Sequence, residues 1–547
     1  MSDSEGEKKH FRFGRMAALA AAALLTGAWT GGCSGGRLEI RSGWENSLPV
    51  SGENRGEKAG EPDSGENRGG KAGEPAGGEN RGEKAGEPAS GENRGGKAGE
   101  PASEGNWGGK TEEMPSEGSG QAVKGGNAGK EQSRLEQDEK PEKKKNNGSE
   151  DEKLPERYDA REMGRAAPVE DQGGLGTCWA FASLQSLENS LLPDEIFDFS
   201  EDHMSKNPNF NLGQESGGDY IMSMAYLLSW QGPVLETEDP YGDGISPRGL
   251  KPAKHVQEIR LLPPGDRQAI KQAVYESGGV QSALYTSLQG RDSLSGYYNR
   301  ENGAYCCLEE KTANHDIVII GWDDHYPAEN FTSEVPGDGA FLCENSWGTE
   351  FGLDGFFYVS YYDANLGKTA IQYKKTENAD NYDKIYQSDL CGWVGQAGYG
   401  AETAWAVNVY TAGSEEALEA AGFYATDKNS DYEIYLVRDV PEEPELLKDS
   451  CFQQREKYAS GHLEYAGYYT IPLKKPETLK TGERFGIMIK ITTPGAVHPV
   501  AVEYDAGDGK CRIDLTDGEG YLSPDGKQWE RAEETQACNL CLKAYTS

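Results

Sequence analysis

Val169-Glu-Asp-Gln-Gly-Gly-Leu-Gly-Thr-Cys178-Trp-Ala-Phe-Ala182 is a glycine-rich loop that gives way to a helix. Ala180, Leu184, Leu187 and Leu191 recur at helical spacing after Cys178, so the cysteine opens an amphipathic helix with Thr177 at its N-cap. A thiol at that position faces the unpaired N–H groups of the first turn, which favour thiolate over thiol. Glycines at 173, 174 and 176 leave the backbone approachable. Gln172, six residues upstream of the cysteine, can place an amide donor beside the sulfur, where a developing oxyanion needs one.

A thiolate nucleophile needs a proton donor for the group it expels. The chain has seven histidines. His315, in Ala313-Asn-His-Asp-Ile-Val-Ile-Ile-Gly-Trp322, stands at the mouth of an apolar run that reads as a buried strand. His325 falls in a polar turn after that run, and His203 and His255 have no comparable setting. Thirty residues past His315, Cys343-Glu-Asn345-Ser-Trp347-Gly precedes the strand-like Phe356-Phe-Tyr-Val. Asn345 can fix one tautomer of the imidazole, and Trp347 can shield that hydrogen bond from water.

In this order, Gln172, the Cys178-Trp-Ala-Phe run, Asn314-His315 and the Asn345-Ser-Trp-Gly run resemble the papain family of cysteine peptidases, over residues 154–375. The resemblance implies an α+β, two-lobed fold, with Cys178 on a helical lobe and His315 and Asn345 on a β lobe. Polypeptide substrate would lie extended between them. Cys178 would form a thioester, with His315 as acid and base, Asn345 as orienter and Gln172 as oxyanion donor, and with no metal or organic cofactor. Glu215-Ser-Gly217-Gly218-Asp219-Tyr extends the match: in relatives, glycines here let substrate backbone pair closely with the enzyme chain. Phe351 stands where the family usually has a tryptophan on the leaving-group side. Two places depart from the family pattern. Leu175 and Glu215 occupy positions that are usually disulfide-bonded cysteines. Asp316 stands where a small apolar residue is common, so Asp316 and Asp219 would favour a basic substrate side chain. Gly217, Gly218, Asp219, Asp316 and Trp347 are thus the expected substrate-facing residues.

From about Tyr382 the texture changes to short aromatic and β-branched runs, such as Thr403–Tyr410, Tyr432–Val437, Phe485–Ile491 and Val500–Tyr504, broken by Gly, Asp and Pro. These predict an all-β sandwich over 380–547, with Ser414–Ala421 as its one helical candidate. The arrangement resembles the lectin-like domain that follows papain-type peptidases in clostridial surface proteins. The name reflects a sandwich shape; glycans or cell-wall components are candidate partners, and Asp427, Asn429 and Asp431 are candidate calcium ligands.

Upstream, Lys8, Lys9, Arg12 and Arg15 precede an apolar run from Met16 to Leu25 and then Gly31-Gly32-Cys33, which reads as a secretory signal over 1–33. Gly-Gly-Cys resembles a bacterial lipoprotein cleavage site, with Cys33 carrying the lipid and Thr30 in place of the usual leucine. That implies export to a bacterial cell surface, with the membrane touched only through the anchor. Residues 34–153 read as a disordered linker, containing a 13-residue repeat over about 51–102. Residues 51–150 contain 24 glycines and one aromatic, Trp107, and so cannot bury a core. As a Gly-rich coil, the linker would reach roughly 60 Å.

The 547 residues carry 92 acidic and 55 basic side chains, a net charge of −37. Residues 1–150 hold 26 acidic and 22 basic groups, so the excess belongs to the part that folds. Nucleic acid is excluded as a partner, because phosphate binding needs a basic footprint. The spacing of the ten cysteines supports neither a disulfide scaffold nor a paired zinc motif, and it does not reveal whether Cys391, Cys451, Cys511, Cys538 or Cys541 pair. The reading is a surface cysteine endopeptidase. Its rivals are an adhesin or glycan-binding protein with a vestigial peptidase lobe, and an amidase or acyl transferase acting on wall peptides by the same thiolate chemistry.

Overall fold

The computed structural model describes residues 39–42, 153–207, 209–442 and 449–547. The expected signal segment, Cys33 and the 13-residue repeats lie outside the described residues.

Cys178–Leu191 is a helix of 14 residues, buried from Cys178 through Asn189 because neighbouring elements pack on every side. Pro193 follows it and cannot extend an α-helix. Tyr220–Leu228 is a helix directly after the paired glycines, buried from Ile221 through Leu228, and Asp219 caps it by accepting the Ile221 N–H. Arg267–Ser277 is capped by Asp266 and stopped at Gly278. Against these helices lies an antiparallel sheet that runs through Lys254–Leu261, Ala370–Asn378, Val280–Leu284, His315–Asp323, Ala340–Glu344 and Phe356–Ser360. The apolar run from His315 reads as continuous because both of its faces are covered, and residues 315–322 are all buried. Its register with the next strand pairs Val318 with Glu344, which turns the chain at Asn345 back toward the His315 end. This is the α+β peptidase lobe pair expected from the sequence.

The all-β part is also as expected. A six-stranded sheet, ordered Arg455–Leu463, Ser430–Val437, Arg484–Thr492, Thr403–Thr411, Gly520–Ser523 and Glu530–Arg531, faces strands Glu416–Ala425, Ala466–Leu479 and Leu542–Thr546. Phe423, Leu418 and Leu542 of one layer and Ile434, Ile487 and Ile489 of the other form one core. One expectation is overturned: Ser414–Ala421 is not a helix. Glu416–Ala425 is a strand, hydrogen-bonded on both edges. Its alanines suit a helix in isolation, but two flanking strands supply ladder partners that override local propensity. A second difference lies upstream. Glu39–Ser42, inside the stretch read as disordered linker, is a strand paired antiparallel with Gly395–Gly398. A sheet edge offers unpaired backbone groups that composition does not reveal.

The two β systems are joined. Ala466–Leu479 of the sandwich pairs antiparallel with Lys254–Leu261 of the peptidase domain, with Ala466 opposite Leu261, Gly467 opposite Arg260 and Tyr468 opposite Ile259. Gly467 has φ +139°, and a Cβ there would overlap the Ile259 carbonyl oxygen, so the seam closes only with glycine. Buried Trp179, Ile259, Tyr424, Tyr468 and Cys541 then form one apolar cluster across it.

Candidate active site

Cys178 is the first residue of its helix, as expected. Thr177 precedes it, but its side chain makes no cap; its hydroxyl is hydrogen-bonded to the Tyr241 hydroxyl at 2.7 Å. Tyr241 in turn donates to the Gln172 carbonyl at 2.9 Å, so one phenol holds both ends of the nucleophile loop. Nothing in the sequence pointed to Tyr241, which lies 64 residues beyond Thr177.

The thiol lies where the helix start meets the start of the His315–Asp323 strand. Burial pushes it up to about 12, with the Asp316 charge adding to the rise, while backbone N–H groups of Asp316, Trp179 and Cys178 itself pull the other way. Across the sheet register, His315 Nε2 is hydrogen-bonded to Asn345 Oδ1 at 2.8 Å. Asn345 Oδ1 also accepts the Ser346 N–H at 2.9 Å, which fixes the carboxamide's orientation. Because that oxygen only accepts, Nε2 carries the proton and Nδ1 is the nitrogen left for proton exchange. Trp347 stacks on the imidazole at 4.7 Å, and Phe351 meets Trp347 edge-on at 5.1 Å. Burial lowers His315 to about 4, opposed by the Asn345 hydrogen bond. Each charge alone is therefore disfavoured by burial, and the backbone N–H of Asp316, next to His315 in the chain, is among the groups that favour the thiolate.

Gln172 is buried, and its Oε1 accepts from the Ser346 hydroxyl at 2.7 Å. Its Nε2 donates to the Leu175 carbonyl at 2.7 Å. One of the two amide N–H groups is thus committed to the loop and the second remains for an oxyanion. Backbone contacts Gln172 N to Ser346 O, 2.9 Å, and Asp171 to Trp347 tie this loop to the Asn345 segment.

Gly218 has a reason of its own: a Cβ there would sit 2.6 Å from the Trp179 indole. Gly217 precedes it with φ +73°. Asp219 is buried at the helix cap. Asp316 is also buried, and its Oδ2 accepts from Gln281 Nε2 at 2.9 Å while Oδ1 has no partner among the described residues. Burial, reinforced by the Asp219 charge, pushes its carboxyl up to about 7. Gln281 is held from its other end by the Tyr373 hydroxyl at 3.0 Å.

As for cations, Asp427 accepts the N–H of Lys428 next to it, and Asp431 pairs with His462 at 2.8 Å on the neighbouring strand. Among the described residues, the carboxylates close enough to share an ion are Asp202, Asp239 and Asp243; Lys206 already pairs with Asp202. No helix among the described residues is long and apolar enough to cross a membrane.

Residues 154–376 match the papain family cysteine protease, and residues 385–546 match the lectin-like domain. Cysteine proteinase B of Leishmania mexicana is 27% identical over 216 residues, which is 38% of this chain and 44% of that protein. Mouse cathepsin K is 26% identical over 212 residues, 37% of this chain and 59% of that protein. The chain thus spans about half the length of such curated relatives. The crystal structure of the cysteine protease and lectin-like domains of Cwp84, a surface layer associated protein of Clostridium difficile, aligns with a TM-score of 0.63 at 26% identity. It covers 72% of this chain and 89% of that one. The chain therefore carries a papain-family cysteine protease domain followed directly by a lectin-like domain.

Proposed function

We propose that the protein is a cysteine endopeptidase of a bacterial cell surface. The Cys178 thiolate attacks a peptide carbonyl and forms a thioester while His315 gives its proton to the departing amine. His315 then takes a proton from the water that hydrolyses the thioester. Asn345 keeps the imidazole in the productive tautomer, and the uncommitted Gln172 N–H, with backbone N–H groups at the helix start, faces the oxyanion. The chemistry calls for no metal or organic cofactor.

The observation that carries this reading is the His315–Asn345 hydrogen bond under Trp347, formed where the strand start meets the buried first turn that holds Cys178. Surface location is supported by the likeness to a surface layer associated protein and by the amino-terminal pattern ending at Cys33. A substrate lysine or arginine beside Asp316 would supply its unpartnered Oδ1 with a donor, and Asp219 adds negative charge nearby.

The test is incubation of the purified chain with denatured casein and, separately, with cell-wall peptide, followed by mass spectrometry of the products. Internal cleavage of casein that disappears in Cys178→Ala supports the endopeptidase. Action confined to wall peptide would replace it with the amidase. Cleavage of neither would leave the adhesin.

A further inference from the structure

We infer that the lectin-like domain forms one wall of a substrate subsite, through which the peptidase selects polypeptides bearing a bulky side chain about three residues to the acyl side of the scissile bond. This rests on the peptidase reading above and adds to it the part played by the second domain.

A cavity of about 640 Å³ lies at the junction. Tyr220, Met224 and Leu261 line it from the peptidase domain, and Trp393, Tyr424 and Thr426 from the sandwich. Its volume falls in the range of sites that enclose a ligand, roughly 300–1,000 Å³. It exceeds what one side chain fills, so it has room for an aromatic residue and its flanking backbone.

The cavity adjoins the catalytic cleft. Tyr220 follows the Gly217-Gly218-Asp219 run directly, and its phenol lies within the fields of both Asp219 and Asp316. Ala370, another lining residue, is opposite Ser282, and Ser282 is opposite Ile317 in the strand that begins at His315. Two strand spacings of about 4.8 Å put the cavity about 10 Å from that strand, and an extended peptide covers this in about three residues. By the resemblance to the papain family Phe351 stands on the leaving-group flank, next to Trp347 and His315 and across the His315 strand from Ala370, so the cavity serves the acyl side.

Its chemistry suits a peptide. The walls are aromatic and aliphatic, and two buried polar atoms from the sandwich, Trp393 Nε1 and Thr426 Oγ1, have no hydrogen-bond partner among the described residues. A turn of either side chain toward the cavity would let it donate to a backbone carbonyl, which removes the penalty of leaving it unpaired. The wall is fixed: Leu261 and Ala466, which both line the cavity, are paired in the ladder that joins the two domains. The small side chain of Ala466 leaves the space open at that seam.

The experiment uses the full chain with Cys178→Ala, which binds without cleaving, and fluorescein-labelled alanine-rich hexapeptides ending at the residue that would be acylated. Tyr or Gly is placed in turn at the second, third and fourth positions from that end, and affinity is read by fluorescence anisotropy. One of the Tyr peptides binds at least about tenfold more tightly than its Gly counterpart. Adding Trp393→Ala erases that preference and leaves the Gly peptide unchanged. Thr426→Val, which removes only a hydroxyl, weakens the Tyr peptide about three- to tenfold. A preference that survives both substitutions, or no preference at any position, overturns the subsite. Hydrolysis is scored separately, with Cys178 intact, on the same sequences extended by two alanines past that residue, so that they contain the bond to be cut. Binding that depends on Trp393 without hydrolysis would remove the peptidase reading and leave the subsite standing.

Discussion

The cluster of acids behind Cys178 and the ion pairs of the lectin-like domain show two ways of burying an acidic group. In the peptidase domain Glu170, Glu188, Glu201 and Glu344 crowd around the catalytic helix, and burial pushes every one of them up, Glu170 to about 7 and Glu344 to about 8. Glu170 and Glu201 face each other closely enough to share a hydrogen bond, as two carboxyls can when one is protonated. In the sandwich, acids meet bases: Lys543 with Asp389 at 2.7 Å, both buried, Arg484 with Glu519 at 2.7 Å, and Glu433 with Lys457 and Lys490. Cationic and hydroxyl neighbours hold Glu433 and Glu477 down to about 2. The acids behind Cys178 are therefore held protonated, whereas the sandwich pairs several of its acids with bases and leaves Glu503, pushed up to about 8 by burial, as an exception.

The largest expected effect breaks the pairing. Burial already raises Asp389 against the pull of Lys543. Lys543→Met leaves that carboxyl without its cation and should cost about 3–5 kcal/mol, read from the urea unfolding midpoint. Next is the seam that holds the halves together. Gly467→Ala should cost about 1–3 kcal/mol and separate the unfolding of the two domains into distinct transitions, because a Cβ displaces the Ile259 carbonyl from the ladder.

The smallest effect sharpens the contrast through pH. A glutamate raised from about 4.5 contributes stability that is fully present below the unfolded value and is lost as pH rises through the folded one. For Glu170 and Glu344 that loss falls between about pH 4.5 and 8. Glutamates held down work in reverse: the contribution of Glu433 and Glu477 is present above pH 4.5 and lost as pH falls toward 2. Thermal melting should show the stability of the chain falling between pH 5 and 8.5. Glu344→Gln should flatten that fall while leaving the acid side unchanged. Glu433→Gln should change only the acid side, by less than about 1 kcal/mol, because its partners are solvent-exposed.

What could be read from the chain follows from how local the cause is. Cys178, His315 and Asn345 stand out because each sits in a short pattern with a physical meaning: a helix start, a strand mouth and a turn beside a tryptophan. The strands of the sandwich are legible for the same reason. Tyr241 is not, since a phenol that braces Thr177 and Gln172 makes a distant contact that no periodicity records. The strand Glu416–Ala425 and the pairing of Glu39–Ser42 depend on partners far along the chain, and so does the Gly467 seam. The likeness of 154–376 to the papain family extends the legible part to the peptidase fold, while the joint between the domains, and the cavity it encloses, emerges only in three dimensions.

The central claim is that a nucleophilic sulfur at 178 is activated by the imidazole at 315. It is tested most directly by treating the full chain with an epoxysuccinyl inhibitor, weighing the intact protein and mapping the modified peptide. One adduct per chain, located on Cys178 and reduced at least about a hundredfold in rate by His315→Ala, is the predicted result. Labelling spread over other cysteines, or a rate on Cys178 indifferent to His315, would contradict it.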